Sequence, residues 1–154
     1  MILDNGTGKL LGIAIKRAKR SPIILKEQAN VTTEKGVEGD HRGMQSNRQV
    51  TVVSQESWEK ACEDLNQSLP WIARRANLLV SGLVFENCTG QLLRIGELVL
   101  EITGETEPCF RMDEFYQGLQ DALKTNWRGG VTCKVIKSGR VKINDVVTLC
   151  DTRD

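Results

Sequence analysis

Gln91-Leu-Leu-Arg-Ile-Gly-Glu-Leu-Val-Leu-Glu-Ile-Thr103 is the stretch that decides the fold class. Leu98, Leu100 and Ile102 alternate with Val99 and Glu101, the period of two that places alternate side chains on opposite faces of a strand. Ile95-Gly96 lies between two such apolar runs, so the stretch reads as a β-hairpin.

The same pattern extends in both directions. Upstream, Leu10–Ile15 reads as a first strand, Ile23–Lys26 as a short second one and Gln49–Val53 as a β-branched third, with apolar segments again at Asn77–Val80 and Leu83–Phe85. Downstream, Val131–Lys137, a Ser138-Gly139 turn and Val141–Leu149 predict a second hairpin. The chain has 14 glycines against 3 prolines, and the glycines punctuate these short runs. Gln28–Arg48, with Gly36, Gly39 and Gly43, reads as a polar loop holding at most a short strand at its start.

Two segments carry helical spacing instead. After Ser54, a capping residue, Trp58, Ala61, Cys62 and Leu65 form one apolar stripe, and Phe115, Leu119, Ala122 and Leu123 form another within Phe115–Lys124. Leu69–Arg75 is irregular around Pro70, and Gly104–Met112 is a turn centred on Pro108-Cys109. Many short antiparallel strands at this length close most readily into a barrel, because closure removes exposed edges. The expectation is a mainly β protein, a β-barrel with two or so short α-helices, forming a single domain over residues 1–154. Strand–helix alternation is too sparse for a parallel α/β sheet.

Composition narrows the function classes. Lys+Arg number 21 against 20 Asp+Glu, a net charge of +1, so no global field attracts nucleic acid or an acidic membrane and any anion site must be a local cluster. No apolar run approaches the roughly 20 residues that span a bilayer, and the N-terminus has no signal-type pattern, so a soluble cytoplasmic protein without nucleic-acid or membrane partners is expected. The five cysteines are odd in number and widely spaced, and His41 is the one histidine, which argues against a disulfide framework and a structural zinc site.

Among the cysteines, Cys62 lies on the helical stripe and Cys133 inside an apolar strand, as core residues do; Cys88 sits in a polar loop without cations and Cys150 follows the final strand. Cys109 differs: a proline-led turn presents it, and Arg111, two residues on, favours its thiolate. An ordinary loop cysteine is the competing reading. Arginines recur beside glycine or proline: Arg42 and Arg48 around the glycine loop, the pair Arg74-Arg75 before the Asn77 segment, Arg111, and Arg128 before Gly129-Gly130. Guanidinium groups bind phosphate and other oxyanions bidentately, although solvated surface charge is the commoner role of a single arginine. Asp40-His41 suits either a side-chain-held turn or a titrating site, and Glu105 and Glu107 either position the cysteine loop or are solvated.

Taken in order, Gly36-Val-Glu-Gly-Asp40, Arg48-Gln-Val-Thr-Val-Val-Ser54, Arg75-Ala-Asn77-Leu-Leu-Val-Ser-Gly82, Leu93-Arg-Ile-Gly96, Thr103-Gly-Glu-Thr-Glu-Pro-Cys109-Phe-Arg-Met112 and Arg128-Gly-Gly130 resemble a MOSC domain, the module named for the C-terminal part of molybdenum cofactor sulfurases. The resemblance runs over nearly the whole chain, looks like a small stand-alone bacterial member, and implies a β-rich barrel. It maps the family's functional cysteine onto Cys109, as a metal ligand or a sulfur carrier, and places Asp40, His41, Arg48, Arg75, Asn77, Arg111 and Arg128 at the cofactor site. Relatives often place a histidine one or two residues further along the Gly-Asp loop, whereas here His41 follows Asp40 directly.

Two functions follow from the resemblance. In one, Cys109 ligates molybdenum in a pterin cofactor (molybdopterin), arginines grip the pterin phosphate, and N-hydroxylated compounds are reduced with electrons from a separate reductase, since the chain has no flavin, haem or iron–sulfur motif. In the other, Cys109 takes sulfur as a persulfide from a cysteine desulfurase and delivers it to a metal–sulfur centre. The desulfurase's pyridoxal phosphate then belongs to the partner, because no lysine here is set up for a Schiff base.

Overall fold

A computed structural model describes residues 4–151. Strand β1 (Asp4–Lys16) is 13 residues long and is the spine of the fold. Its first part pairs antiparallel with β11 (Val146–Cys150), from Asp4 opposite Cys150 to Lys9 opposite Val146; its middle pairs with β6 (Leu78–Ser81), and its end with β2 (Ile23–Lys26). From β6 the sheet continues through β5 (Val50–Ser54), β9 (Val131–Lys137), β8 (Leu98–Glu105) and β7 (Leu92–Ile95) to β11, so seven strands close on themselves and β2 extends the wall outside the ring. The fold is a mainly β barrel, as the sequence predicts. Apolar residues at alternate positions fill it: Leu98, Leu100 and Ile102 of β8 are each fully buried, as are Leu10, Leu78 and Leu93 from neighbouring walls.

One pair breaks the antiparallel rule. β5 and β6 run parallel, with Val52 opposite Leu78, because helix α1 (Gln55–Leu65) carries the chain back between them. Ser54 caps α1 by accepting a hydrogen bond from the Ser57 amide, and the helix buries Trp58, Ala61 and Cys62. These residues pack outside the barrel with Ala73, Met112, Leu119 and Leu123, a second apolar layer.

Three readings of the sequence change. The second hairpin does not form: β9 pairs with β5 and β8, while the segment after Ser138 divides into β10 (Gly139–Lys142), which pairs with β3 (Gln28–Thr32), and β11, which closes the ring. The polar loop holds two strands rather than one, β3 and β4 (Gly36–Val37). Buried Gln49 pins it, donating to the carbonyls of Thr33 and Gly43 while accepting from the Val135 amide. The second helical segment is broken in two, α2 (Arg111–Phe115) and α3 (Leu119–Lys124), because Gly118 turns the chain with φ +97°. Phe115 therefore leaves the stripe and is exposed, and Met112 takes the buried place. That makes three short α-helices among the described residues, none long and apolar enough to cross a membrane.

Candidate functional site

Loops from separate walls converge at one end of the ring around a cavity of about 540 Å³. The loop leaving β4 supplies His41, Arg42, Met44 and Arg48; the 3-10 turn Trp71–Arg74 and the residue after it supply Arg74 and Arg75; the loop leaving β8 supplies Thr106, Glu107 and Cys109, and α2 supplies Arg111. A narrower recess shares His41, Arg42, Arg48 and Arg75 with this cavity and reaches Lys16, Asp40 and Asn77.

Cys109 is exposed, whereas Cys62, Cys88, Cys133 and Cys150 are buried. Burial pushes the Cys133 and Cys88 thiols up from their ordinary range, Asp151 adding to the effect at Cys88. The Cys109 turn is held from below by buried Pro108, whose carbonyl accepts from Gln120 Nε2 at 3.2 Å, and by the Met112 amide, which donates to the Cys109 carbonyl at 3.0 Å.

The cavity wall is strongly cationic. Among its lining residues Arg42, Arg48, Arg74, Arg75 and Arg111 face a single carboxylate, Glu107. Burial, then Arg111 and Arg42, pull the Arg75 guanidinium below its usual range, against the opposing pull of Cys109 and Glu114. Lys16 is lowered by burial, Arg75, Arg42 and Arg111, with Asp40 opposing. At β8's end, burial followed by Glu107 and Glu86 raises the Glu105 carboxyl. Like charges this crowded are costly without an anion to offset them, so the wall suits a negatively charged group.

Asp40 and His41 hold the loop in place. Asp40 accepts from the Lys16 amide at 2.8 Å and from the Arg42 amide at 3.2 Å. His41 Nδ1 lies 3.0 Å from the Lys16 carbonyl oxygen, which can only accept. Nδ1 therefore donates in this contact. Asn77 spends its side chain on the scaffold: Nδ2 donates to the Ala14 carbonyl and Oδ1 accepts from the Thr51 amide, tying β1, β5 and β6 together.

The structure thus gathers Cys109, Arg48, Arg75, Arg111 and His41 at the cavity, with Asp40 and Asn77 at its recess. Arg128, expected with them, lies outside both cavities. Its guanidinium ion-pairs with Asp64 of α1 and donates to the Ala122 carbonyl of α3, fastening two helices. A Cβ at Gly129 would stand 2.7 Å from the Thr106 carbonyl oxygen and one at Gly130 2.2 Å from that of Val52, so both are needed for close packing.

Two residues at the cavity escape assignment from sequence, Arg74 and Thr106. Arg74 is 5% exposed and donates from Nε to the Gly129 carbonyl. Burial lowers it to about 10, with Cys109 opposing and Arg42 and Arg48 assisting, so at neutral pH it remains a buried cation. No sequence signal separates it from its neighbour Arg75. Thr106 does carry one: the alternation Leu98, Leu100, Ile102, carried two steps further, reaches it, and it is buried.

A family model described as "MOSC domain" matches residues 38–148. No curated protein matches the sequence. Among solved structures, the chain is similar to the YuaD protein from Bacillus subtilis, at 20% identity and TM-score 0.83, covering 99% of each chain. It is also similar to YiiM from Escherichia coli, at 18% identity and TM-score 0.69, covering 95% of this chain and 71% of that one. YiiM from Geobacillus stearothermophilus follows at 14% identity and TM-score 0.72, with 92% and 74% covered. At these identities the structural likenesses establish the fold.

Proposed function

The chain belongs to the MOSC domain family, and from that premise we propose that it binds a molybdenum cofactor, with Cys109 as the protein's ligand to the metal. The observation that carries this reading is the opening of the one exposed thiol onto a cavity lined by five arginines. The donor set fits such a group. Among the described residues no three His, Cys, Asp or Glu side chains gather into a metal site, so a metal held at Cys109 would need further ligands, which an organic carrier can supply. A phosphate-bearing carrier is matched by the guanidinium groups of Arg42, Arg48, Arg75 and Arg111.

When bound, the cofactor supplies two-electron redox chemistry. The chain's residues position and balance it. The arginines hold the anionic end, Asp40 fixes the loop that carries two of them, and His41 ties that loop to the Lys16 carbonyl. Reduction of an N-hydroxylated base consumes two electrons and two protons and yields the base and water. The electrons come from a separate reductase.

A second reading is supported by the shared cavity of exposed Cys109 and buried Arg74. A sulfur carrier needs an accessible thiol in cationic surroundings, and the cavity supplies both. The Cys109 thiolate would attack the terminal sulfur of a desulfurase persulfide and release that enzyme's cysteine thiolate; pyridoxal phosphate would act in the desulfurase. One experiment separates the two readings: metal analysis of protein from a cofactor-competent host, wild type beside Cys109→Ala. Molybdenum in the wild type alone supports ligation. Equal metal in both removes it, and no metal in either, with a persulfide on wild type after desulfurase treatment, favours the carrier.

A further inference from the structure

We propose that Arg74 and Thr106 form a seat for a compact oxyanion beside Cys109, so that the molecule meeting this thiol brings an anionic oxygen of its own. The proposal rests on the reading above only in taking Cys109 as the functional sulfur of the cavity, whether metal ligand or sulfur carrier. Arg74 has five N–H groups and satisfies one of them, Nε, on the Gly129 carbonyl. Nη2 is covered by protein and has no hydrogen-bond partner, and no carboxylate pairs with the guanidinium among the described residues. A buried charge left in this state is expensive, and Arg42 and Arg48 make it more so.

Four buried side-chain atoms lack a partner among the described residues, Arg74 Nη2, Arg94 Nε, Thr106 Oγ1 and Arg128 Nε, and of these residues Arg74 and Thr106 alone line the cavity. Thr106 Oγ1 is also buried and also without a partner. Gly129 brings the two residues together: the position a Cβ would take there is 2.7 Å from the Thr106 carbonyl oxygen and 3.6 Å from Arg74 Nε. Both residues line the cavity that holds Cys109. A guanidinium and a hydroxyl offer hydrogens, so their shared complement is an oxygen that only accepts, and the uncompensated charge requires that oxygen to be anionic. A neutral base would leave the Arg74 cation as costly as before. The exposed rim arginines Arg42 and Arg48, being solvated, have no such deficit.

The test uses metal-free full-length protein and two probes, sulfate and methanesulfonate, titrated at constant ionic strength against chloride. The readout is the rate at which iodoacetamide, a neutral reagent, alkylates Cys109. Wild type is expected to be protected at least fivefold in a saturable way. Thr106→Val, which removes a hydroxyl that bonds nothing in the protein, is expected to keep its fold and melting temperature and to bind the anion about tenfold more weakly. Arg74→Lys should lose saturable protection; if it does not fold, Thr106→Val decides alone. Tighter sulfate assigns the seat to a free oxyanion, and tighter methanesulfonate to the anionic end of an organic molecule. Absence of saturation, or unchanged affinity in Thr106→Val, overturns the proposal. Molybdenum content of the Cys109→Ala pair is read separately, so failure of the seat and failure of cofactor ligation are told apart.

Discussion

Gly129→Ala asks whether the glycine pair after Arg128 serves a ligand or the packing of the cysteine loop. The added methyl would stand 2.7 Å from the Thr106 carbonyl oxygen, 3.5 Å from Pro108 Cδ and 3.6 Å from Arg74 Nε. Backbone oxygen at that distance cannot yield by a side-chain rotation, so the loop from Thr106 to Cys109 must move. Overpacking of one methyl costs about 1–3 kcal/mol. In a domain of this length that lowers the melting temperature by roughly 3–10 °C. Gly104→Ala is the control, because a Cβ there meets nothing within 4 Å. It should be neutral or slightly stabilising through the unfolded chain. Both variants are measured by calorimetry and by the Cys109 alkylation rate, which should change in Gly129→Ala alone. Equal melting temperatures for the two variants would refute the packing argument.

Arg128→Ala removes the Asp64 ion pair and the bond to the Ala122 carbonyl, and should cost about 1–2 kcal/mol in urea unfolding while leaving molybdenum content at the wild-type level; lost metal would restore Arg128 to the site. Burial holds the Cys133 thiol neutral in the fold, whereas the unfolded chain releases that proton near the ordinary 9.0, so stability is full below pH 9 and falls above it. From pH 9 to pH 10 the slope for one thiol grows from about 0.7 to about 1.2 kcal/mol per pH unit; Cys88 adds in the same direction, Arg74, lowered to about 10, opposes it, and Cys133→Ala should have the shallower slope in pH-resolved unfolding. Identical slopes would mean that Cys133 ionises as freely in the fold as outside it.

The sequence disclosed those features that depend on neighbours a few residues away. The alternation over Leu98–Ile102 and the stripe of Trp58, Ala61 and Cys62 report their own burial, because strand and helix periods are local properties. Pairing between distant strands is not local. Ser138-Gly139 reads as a hairpin turn, yet β10 finds its partner in β3, and nothing near residue 139 announces Asn30 or Val31. Gln49 looks like an ordinary polar residue before a strand, but its side chain organises the whole Gly36–Gly43 crossing. At the site, Cys109 was legible because a proline-led turn exposes what it carries. Arg74 was not, since adjacent arginines look alike until the αL conformation of Arg75, at φ 64°, separates their surroundings. Arg128 was misplaced for the complementary reason: a glycine pair signals close approach without saying to what.

Strand β1 both closes the ring against β11 and ends at Lys16, whose backbone holds Asp40 and His41 in position. Contacts this far apart along the chain are the slowest to form, so folding is expected to be limited by the meeting of these two strands. Before the seam shuts, the loops that carry the arginines have no common frame. A ligand recruited by several loops at once would therefore bind only molecules that have completed the search, and would in turn discourage the seam from reopening.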